Sequence, residues 1–172
     1  YIGIELAENL RELGIEVTIV QRPKQLMNPL DPDMAAFVHS EMRRHGVLLK
    51  LGSTVEGFET TETGLKVLLK GEEPLEADFV ALAIGVSPDT VLAKQLGLEL
   101  GVKGSIVVND RMETSLPDIY AVGDAVEVRH VVTGQKRVIS LAGPANKQGR
   151  IAADNICGSD SRYRGSQGSS VI

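Results

Sequence analysis

The sequence predicts an α/β fold with a parallel sheet, and three stretches of the chain carry this prediction. Residues 1–22, "YIGIELAENLRELGIEVTIVQR", have the apolar spacing of a helix followed by a short apolar strand. Residues 32–46 repeat this order, since a second helical pattern leads into a short strand at 47–50. The run "DFVALAIG" at 78–85 is continuously apolar and ends in glycine, which is typical of a strand buried on both faces of a parallel sheet.

The first two helices have recognisable ends. Gly14 closes the first helix, and a strand is predicted from Ile15 to Val20. Asp31 and Pro32 are expected to be the N-cap and the first residue of the second helix, and Gly46 follows the basic residues at its end. The expected buried faces are Ile2, Leu6, Leu10 and Leu13 in the first helix and Met34, Phe37, Val38 and Met42 in the second.

Shorter elements are predicted after residue 50. Strands at 54–59 and 65–70 are expected to form a hairpin around "TTETG". After residue 86 the helix–strand pattern is replaced by shorter segments punctuated by glycine. This change predicts a second structural part. Its expected elements are a short helix over 87–96, strands at 106–108 and 119–122, and a helix over 143–158. The tail is rich in Ser, Gly and Arg and is expected to contribute no core element.

Composition argues against several classes of function. The 172 residues carry a net charge of −5 without a basic block, and only 3% are aromatic, which argues against nucleic-acid binding. No apolar run is long enough for a membrane helix. The one cysteine, Cys157, cannot form an internal disulfide framework, matches no catalytic motif and suggests a reducing compartment. His39, His45 and His130 lack metal-ligand spacing and are interpreted as surface residues.

Gly3 opens a helix that leads into a strand, as does the last glycine of a G-x-G-x-x-G dinucleotide-binding turn. Such a glycine permits close packing of the helix against a strand. A glycine at a helix start more often serves the fold alone, so Gly3 by itself is weak evidence for nucleotide binding.

The segment "TSLPDIYAVGDA" (114–125) places a carboxylate directly after a predicted strand, because residues 119–122 would end at Gly123 and Asp124. Ligands of open α/β sheets bind at the carboxyl ends of strands, which makes Asp124 a candidate ligand-binding residue. An isolated Gly-Asp pair is also common as a turn or a helix N-cap, and these residues alone leave that interpretation open.

Taken together, four segments resemble a known family. "GIELA" (3–7), "AIGVSPDT" (83–90), "TSLPDIYAVGDA" (114–125) and "LAGPANKQGRIAADNI" (141–156) occur in the order found in the FAD-dependent pyridine nucleotide-disulfide oxidoreductases. With "VEVRHVVTGQ" (126–135) before it, the last segment is most similar to the branch of NADH oxidases and coenzyme A-disulfide reductases. The resemblance covers essentially the whole chain.

The resemblance implies an FAD site in the second part of the chain. The implied FAD-binding residues are Gly123, Asp124, Ala125, Leu141, Ala142 and Gly143. Asp124 would hydrogen-bond the ribityl chain, and the helix beginning near Gly143 would point its N-terminus at the pyrimidine edge of the flavin. That edge carries negative charge in a reduced flavin, and a helix N-terminus carries roughly half a positive charge.

The resemblance also implies an NAD(P)H site. Its residues are Gly3, Glu5, Gln21, Arg22 and Gly85. Glu5 would lie near the nicotinamide amide, and Gly85 would permit close backbone approach. Gln21 departs from the family pattern, because NADH-preferring members usually carry Glu or Asp there to hold the ribose hydroxyls. Arg22 could accept a 2′-phosphate, so the choice between NADH and NADPH stays open.

By this resemblance the chain is expected to be an internal fragment of a longer flavoenzyme. Residues 1–86 would be a Rossmann-like NAD(P)-binding domain with an antiparallel crossover, lacking its first strand and first two glycines. Residues 87–158 would be the returning part of an FAD-binding domain, and residues 159–172 a linker towards a dimerisation domain. The redox cysteine is expected outside this chain, so no catalytic residue is assigned within it.

The implied function is transfer of a hydride from NAD(P)H to FAD and of electrons onward to oxygen or a disulfide or thiol acceptor. The acceptor stays open among oxygen, coenzyme A disulfide, persulfide and peroxide. The alternative is a non-catalytic nucleotide-binding or regulatory module with the same fold. The expected setting is a cytoplasmic homodimer that acts on a small-molecule acceptor and binds neither nucleic acid nor membrane. The 172 residues alone are expected to bind neither cofactor tightly and to be inactive.

Overall fold

The computed structural model describes residues 1–169 in two compact units, of which the first ends at Ile84 and the second begins at Gly85. The elements of the first unit are α1 (Ile2–Glu12), β1 (Thr18–Gln21), α2 (Pro32–Arg44), β2 (Leu48–Leu51), β3 (Val55–Thr60), β4 (Leu65–Leu69) and β5 (Leu75–Ala77). Those of the second are α3 (Val91–Gln95), β6 (Ile106–Val107), β7 (Val126–Arg129), β8 (Lys136–Arg137) and α4 (Ala142–Ile156), with 3-10 turns at Val102–Gly104 and Gly123–Ala125. The last three residues of the predicted linker 159–172 lie outside the described residues.

Strands β1 and β2 form the parallel sheet of the first unit, with Thr18 paired to Leu48 and Gln21 to Leu51. The core beside it combines buried side chains from both helices and their connections, namely Ile4, Ala7, Leu26, Met42 and Val47. The predicted α/β class is confirmed. Within residues 1–169, no helix has the length and apolar character needed to cross a membrane.

Helices α1 and α2 bury only part of the faces that their apolar spacing predicts, because Met42 is buried and Val38 packs against the core as expected, whereas most of the other predicted residues are exposed. The fully buried residues are Ile4 and Ala7 in α1 and Ala35 and Met42 in α2. The residues that were expected inside and are exposed are Ile2, Leu6, Leu13, Met34 and Phe37. Alanine lets the helix backbone lie close to the core, so the small residues face inward and the larger apolar residues beside them point to the surface.

The predicted hairpin at 54–70 is confirmed and is extended by a third strand. β3 and β4 pair antiparallel, with Phe58 opposite Val67, and β5 joins the other edge of β4 with Leu75 opposite Val67. The sequence does not predict β5, because three residues show too little alternation to distinguish a strand from a loop.

The segment 78–85, predicted as a buried strand, is not a strand in the structure. Ile84 is 86% exposed and Leu82 is 67% exposed. A strand exists only where a neighbour supplies ladder hydrogen bonds, and no strand among the described residues pairs with this segment. The segment does approach α1, since a Cβ added to Gly3 would lie 3.3 Å from the Cβ of Ala83.

The second unit is built from β6, β7, β8 and α4. β6 runs parallel to β7, with Ile106 opposite Val126, and β8 pairs antiparallel with the end of β7. The buried core comprises Val108, Met112, Val126, Val128, Ala152 and Tyr163. The predicted strand at 106–108 and helix at 143–158 are therefore present as β6 and α4, whereas β7 and β8 are additional to the prediction.

The prediction of a strand at 119–122 is wrong. Tyr120 forms an isolated antiparallel bridge with Glu113, and the N–H of Ala121 donates to the carbonyl of Met112 at 3.1 Å. These contacts hold one side of the segment, but no strand within residues 1–169 forms a ladder along it. The segment nevertheless leads directly into the turn at Gly123–Ala125.

The tail after α4 holds a core residue, which corrects the expectation that it contributes none. Tyr163 is 8% exposed and packs in the core of the second unit. Its N–H donates to the carbonyl of Asp110 at 2.7 Å, and the Arg162 guanidinium binds the Asp110 carboxylate at 2.8 Å. The tail is otherwise rich in Ser, Gly and Arg, so its composition gives no indication that Tyr163 is buried.

Replacing Gly101 by alanine is expected to destabilise the protein by about 1–3 kcal/mol. The buried Glu127 accepts a hydrogen bond from the N–H of Val102 through Oε2 at 2.7 Å, and a Cβ on Gly101 would overlap that oxygen. Urea unfolding measures the effect, and Gly149→Ala is the matched control because an added Cβ there meets no atom within 4 Å. Wild-type stability of the Gly101 variant would contradict this account of Glu127.

His39 is a half-buried hydrogen-bond acceptor and not the surface residue that the sequence predicts. Its Nε2 accepts from the N–H of Leu26 at 2.9 Å, which fixes the loop before α2. Burial, with a smaller contribution from the charge of Arg43, lowers the pKa of His39 below its usual value. The neutral ring is therefore the form that supports the fold.

Acidification is expected to destabilise the protein through His39. The unfolded chain takes up a proton near pH 6.5 while the folded ring resists it, so stability falls as the pH drops from 6.5 through the lowered pKa of the folded state. His39→Gln, whose amide oxygen can accept from Leu26 without titrating, should flatten this dependence. The measurement is Tm between about pH 7.5 and 5. An equally steep fall of Tm in the variant would exclude His39 as the cause.

Candidate functional site

The first unit places two predicted nucleotide-binding residues at the end of β1. Gln21 is the last residue of this strand, and the carboxyl ends of the parallel strands β1 and β2 share one edge. The carbonyl of Gln21 accepts hydrogen bonds from the N–H groups of Gly52 at 2.8 Å and Ser53 at 3.2 Å, which fixes the backbone here. Arg22 is exposed, and its guanidinium has no partner among the described residues. This edge therefore offers a neutral amide and a free cation.

Gly3 and Glu5 lie in the first two turns of α1. Gly3 brings the helix close to Ala83, which is the packing role expected of the last glycine in a dinucleotide turn. Glu5 is exposed, and its carboxylate accepts no hydrogen bond within the part of the chain that the structure describes. Gly85 is the first residue of the second unit and has a φ of +91°, with open space where a Cβ would lie.

The second unit presents Asp124 in the turn at Gly123–Ala125. Gly123 has a φ of +76°, a conformation that favours glycine, and its N–H donates to Oε1 of Gln148 at 2.6 Å. The turn packs against α4, with the site of a Gly123 Cβ 3.8 Å from the Cβ of Ala145. Asp124 itself is exposed, and its carboxylate has no hydrogen-bond partner in residues 1–169. The turn is held in place while the carboxylate is free.

The N-terminus of α4 is open. The helix begins at Ala142, one residue before the predicted start. The N-cap residue is Leu141, whose apolar side chain cannot accept a hydrogen bond from the free N–H groups of the helix. The N–H groups of Ala142 and Gly143 donate to none of the described residues, and Pro144 has no N–H. No acidic side chain occupies the first turn. The positive end of the helix dipole is therefore uncompensated by side chains of that turn.

These features give the second unit a defined binding chemistry. A free carboxylate accepts hydroxyl hydrogens, and free helix amides donate to an electron-rich edge, so a ligand that carries both groups matches the site. Among residues 1–169, no cluster of His, Cys, Asp or Glu could hold a metal ion. Cys157 is the exposed C-cap of α4.

Gln148 is the site residue that the sequence reasoning misses. It is 1% exposed, although glutamine is usually a surface residue. The available signal is spacing, because Gln148, Ala152 and Asn155 recur every three or four residues and share the buried face of α4. A polar residue on such a face needs an internal partner, and Gly123 provides it.

The family model of the pyridine nucleotide-disulphide oxidoreductases matches residues 1–149. The chain belongs to this family. The match includes α1, the end of β1, the Gly123–Ala125 turn and the first half of α4, so every site residue predicted above lies within it.

Three relatives of the family illustrate the similarity. The NAD(P)H sulfur oxidoreductase (CoA-dependent) of Pyrococcus furiosus is 36% identical over 99% of this chain and 38% of its own length. The crystal structure of reduced Bacillus anthracis CoADR-RHD has a TM-score of 0.91 and 49% identity, covering 98% of this chain and 30% of that chain. The water-forming NADH oxidase of Lactobacillus brevis bound to NADH has a TM-score of 0.91 and 37% identity, covering 99% and 38%.

These relatives confirm the resemblance to the branch of NADH oxidases and coenzyme A-disulfide reductases. They are named as oxidases and reductases, so the non-catalytic module is not favoured. The chain spans 30–38% of the length of these three proteins.

Proposed function

We propose that this chain supplies the NAD(P)H-binding portion and part of the FAD-binding portion of a flavoprotein oxidoreductase. The full-length protein would pass a hydride from NAD(P)H to FAD and electrons onward to oxygen or to a disulfide or thiol acceptor. The observation that carries this proposal is the turn at Gly123–Ala125, which packs against α4 and presents the exposed Asp124 carboxylate.

The donors and acceptors of the second unit fit FAD. The proposed binding residues are Gly123, Asp124, Ala125, Leu141, Ala142 and Gly143. The Asp124 carboxylate can accept hydrogen bonds from the ribityl hydroxyls and so orient the ligand. The free N–H groups of Ala142 and Gly143 can donate to the pyrimidine edge, and the helix dipole favours negative charge there. A bound flavin would supply the hydride and electron chemistry, while these residues supply binding and electrostatics.

The first unit fits the adenosine end of a nicotinamide dinucleotide. Gln21 at the end of β1 can hydrogen-bond ribose hydroxyls through its amide, and the unpaired Arg22 can bind a 2′-phosphate. Gly3 permits the close helix packing that such a site uses. Glu5 and Gly85 are proposed to serve the nicotinamide end of the same cofactor.

Cys157 is not proposed as the redox cysteine. It is the exposed C-cap of α4, and its thiol has no hydrogen-bond partner among the described residues. Reactive cysteines lie beside cations, helix N-termini or a general base, and Cys157 lies at the opposite end of its helix. The group that receives electrons after the flavin is proposed to lie elsewhere in the full-length protein.

The full-length protein is proposed to be a cytoplasmic homodimer that acts on a small-molecule acceptor and binds neither nucleic acid nor membrane. The net charge of −5 and the absence of a basic block from the sequence support the lack of nucleic-acid binding, and the single cysteine supports the cytoplasmic location. Size-exclusion chromatography with light scattering tests the dimer.

The decisive experiment is purification of the full-length protein followed by anaerobic titration with NADH and NADPH. The expected result is a yellow protein whose visible flavin absorbance is bleached by at least one of the two nucleotides. Re-oxidation by oxygen, peroxide, coenzyme A disulfide or a persulfide then identifies the acceptor. A colourless protein that takes up no added FAD would contradict the proposal.

A further inference from the structure

Gln148 is a buried amide that connects α4 to the turn carrying Asp124. Its side chain is 1% exposed, and its Oε1 accepts a hydrogen bond from the N–H of Gly123 at 2.6 Å. Burial of an amide is unfavourable unless its polar atoms are paired, so this contact is a specific requirement of the position.

The hydrogen bond from Gly123 fixes where the turn lies on the helix. Gly123 begins the turn with a φ of +76°, and Asp124 follows it directly. Because the Asp124 carboxylate has no partner of its own in the part of the chain described here, its position depends on the backbone of the turn. Gln148 thereby sets the Asp124 carboxylate relative to the free N–H groups of Ala142 and Gly143 at the start of the same helix.

We propose that Gln148 is a positioning residue for the flavin, which it does not need to touch. The inference rests on the proposed function, since it assigns Gln148 to the geometry of the same FAD site. Loss of the Gln148 oxygen would leave the Gly123 N–H without its acceptor and let the turn shift. The carboxylate and the helix amides would then no longer meet the ribityl chain and the pyrimidine edge together.

The test compares three variants of the full-length holoenzyme. Gln148→Leu keeps the volume and removes the acceptor, whereas Gln148→Glu keeps an oxygen that can accept from Gly123. Asn155→Leu is the matched control, because Asn155 is another buried amide of α4 whose hydrogen bonds go to Arg111 and Ser161. The readouts are the Kd for FAD, the visible circular dichroism of the bound flavin and the Tm of the apoprotein.

Gln148→Leu is expected to weaken FAD binding about tenfold or more and to change the flavin circular dichroism. Gln148→Glu keeps the acceptor but buries a charge at a position that is 1% exposed, so it is expected to lower Tm while weakening FAD binding less than Gln148→Leu does. Asn155→Leu is expected to lower Tm while leaving the Kd for FAD and the dichroism unchanged. Should Gln148→Leu not fold, Gln148→Met takes its place with the same expected loss, since its flexible side chain adapts to the same space.

Wild-type affinity and dichroism in the leucine or methionine variant would overturn this role of Gln148. An equal loss of FAD binding in Asn155→Leu would also overturn it, because the effect would then report general destabilisation of α4. Both results require a wild-type protein that holds FAD. A wild-type protein without flavin would overturn the proposed function first, which keeps the two failures distinguishable.

Discussion

Replacing Asp124 by alanine in the full-length protein is expected to weaken FAD binding about tenfold to a hundredfold. The structure leaves this carboxylate without a partner among residues 1–169, in a turn that packs against α4. Hydrogen bonds from ligand hydroxyls to a carboxylate are charge-assisted, and alanine removes all of them at once. The measurement is the flavin content after gel filtration, together with the Kd for FAD of the refolded or stripped protein.

Two control variants separate the role of Asp124 from a general effect of lost charge. Asp124→Asn keeps one acceptor oxygen and is expected to retain more flavin than Asp124→Ala. Asp78→Ala removes another exposed aspartate, one without a side-chain partner among the described residues, and is expected to bind FAD as wild type does. Full flavin retention by Asp124→Ala would remove Asp124 from the proposed site.

Replacing Gln21 by glutamate is expected to raise the preference for NADH over NADPH by about tenfold or more. The new carboxylate would sit at the carboxyl end of β1, on backbone that Gly52 and Ser53 already fix. It can accept hydrogen bonds from both ribose hydroxyls and repels a 2′-phosphate. The measurement is kcat/KM for NADH divided by kcat/KM for NADPH.

Thr18→Glu is the matched control for this change of specificity. Thr18 is exposed and lies at the other end of β1, so the variant adds the same charge to the same strand away from the proposed ribose site. Its NADH-to-NADPH ratio is expected to remain that of wild type. Arg22→Ala should shift the ratio towards NADH by weakening NADPH. An unchanged ratio in Gln21→Glu would count against placing Gln21 at the ribose.

Elements with local signals could be predicted from the sequence. Gly14 follows α1 with a φ of +80°, and Asp31 and Pro32 occupy the N-cap and first positions of α2 as expected. The hairpin at 54–70 follows from alternation around a turn. Each of these signals acts over a few residues of the chain, which is why a single sequence contains enough information to find them.

Features that depend on distant partners could not be predicted. Residues 78–85 and 119–122 have strand-like composition, yet a strand needs a neighbour with free backbone groups, and periodicity says nothing about that neighbour. The buried faces of α1 and α2 depend on how closely the helices approach the sheet, which favoured Ala7 and Ala35 over larger residues.

The residues of the candidate site also differ in whether local sequence or a distant partner determines them. Asp124 and Gly3 belong to short motifs and are visible in the sequence. Gln148 acts on Gly123 from 25 residues away, so its partner is evident only once α4 is packed against the turn. Glutamine is also ordinary in a helix, and nothing local distinguishes a buried one from an exposed one.

The anchoring of the tail sets a lower limit on where the second unit can be cut for separate production. A truncation at Gly158, directly after α4, would remove Tyr163 from the core and expose the apolar residues it covers. It would also leave two groups of the strand region unpaired, because the N–H of Val131 donates to Ser166 and the carbonyl of Arg129 accepts from Ser166, each at 3.0 Å. Expression boundaries drawn at the end of the last helix would therefore yield an unstable product, whereas boundaries beyond Ser166 keep these contacts.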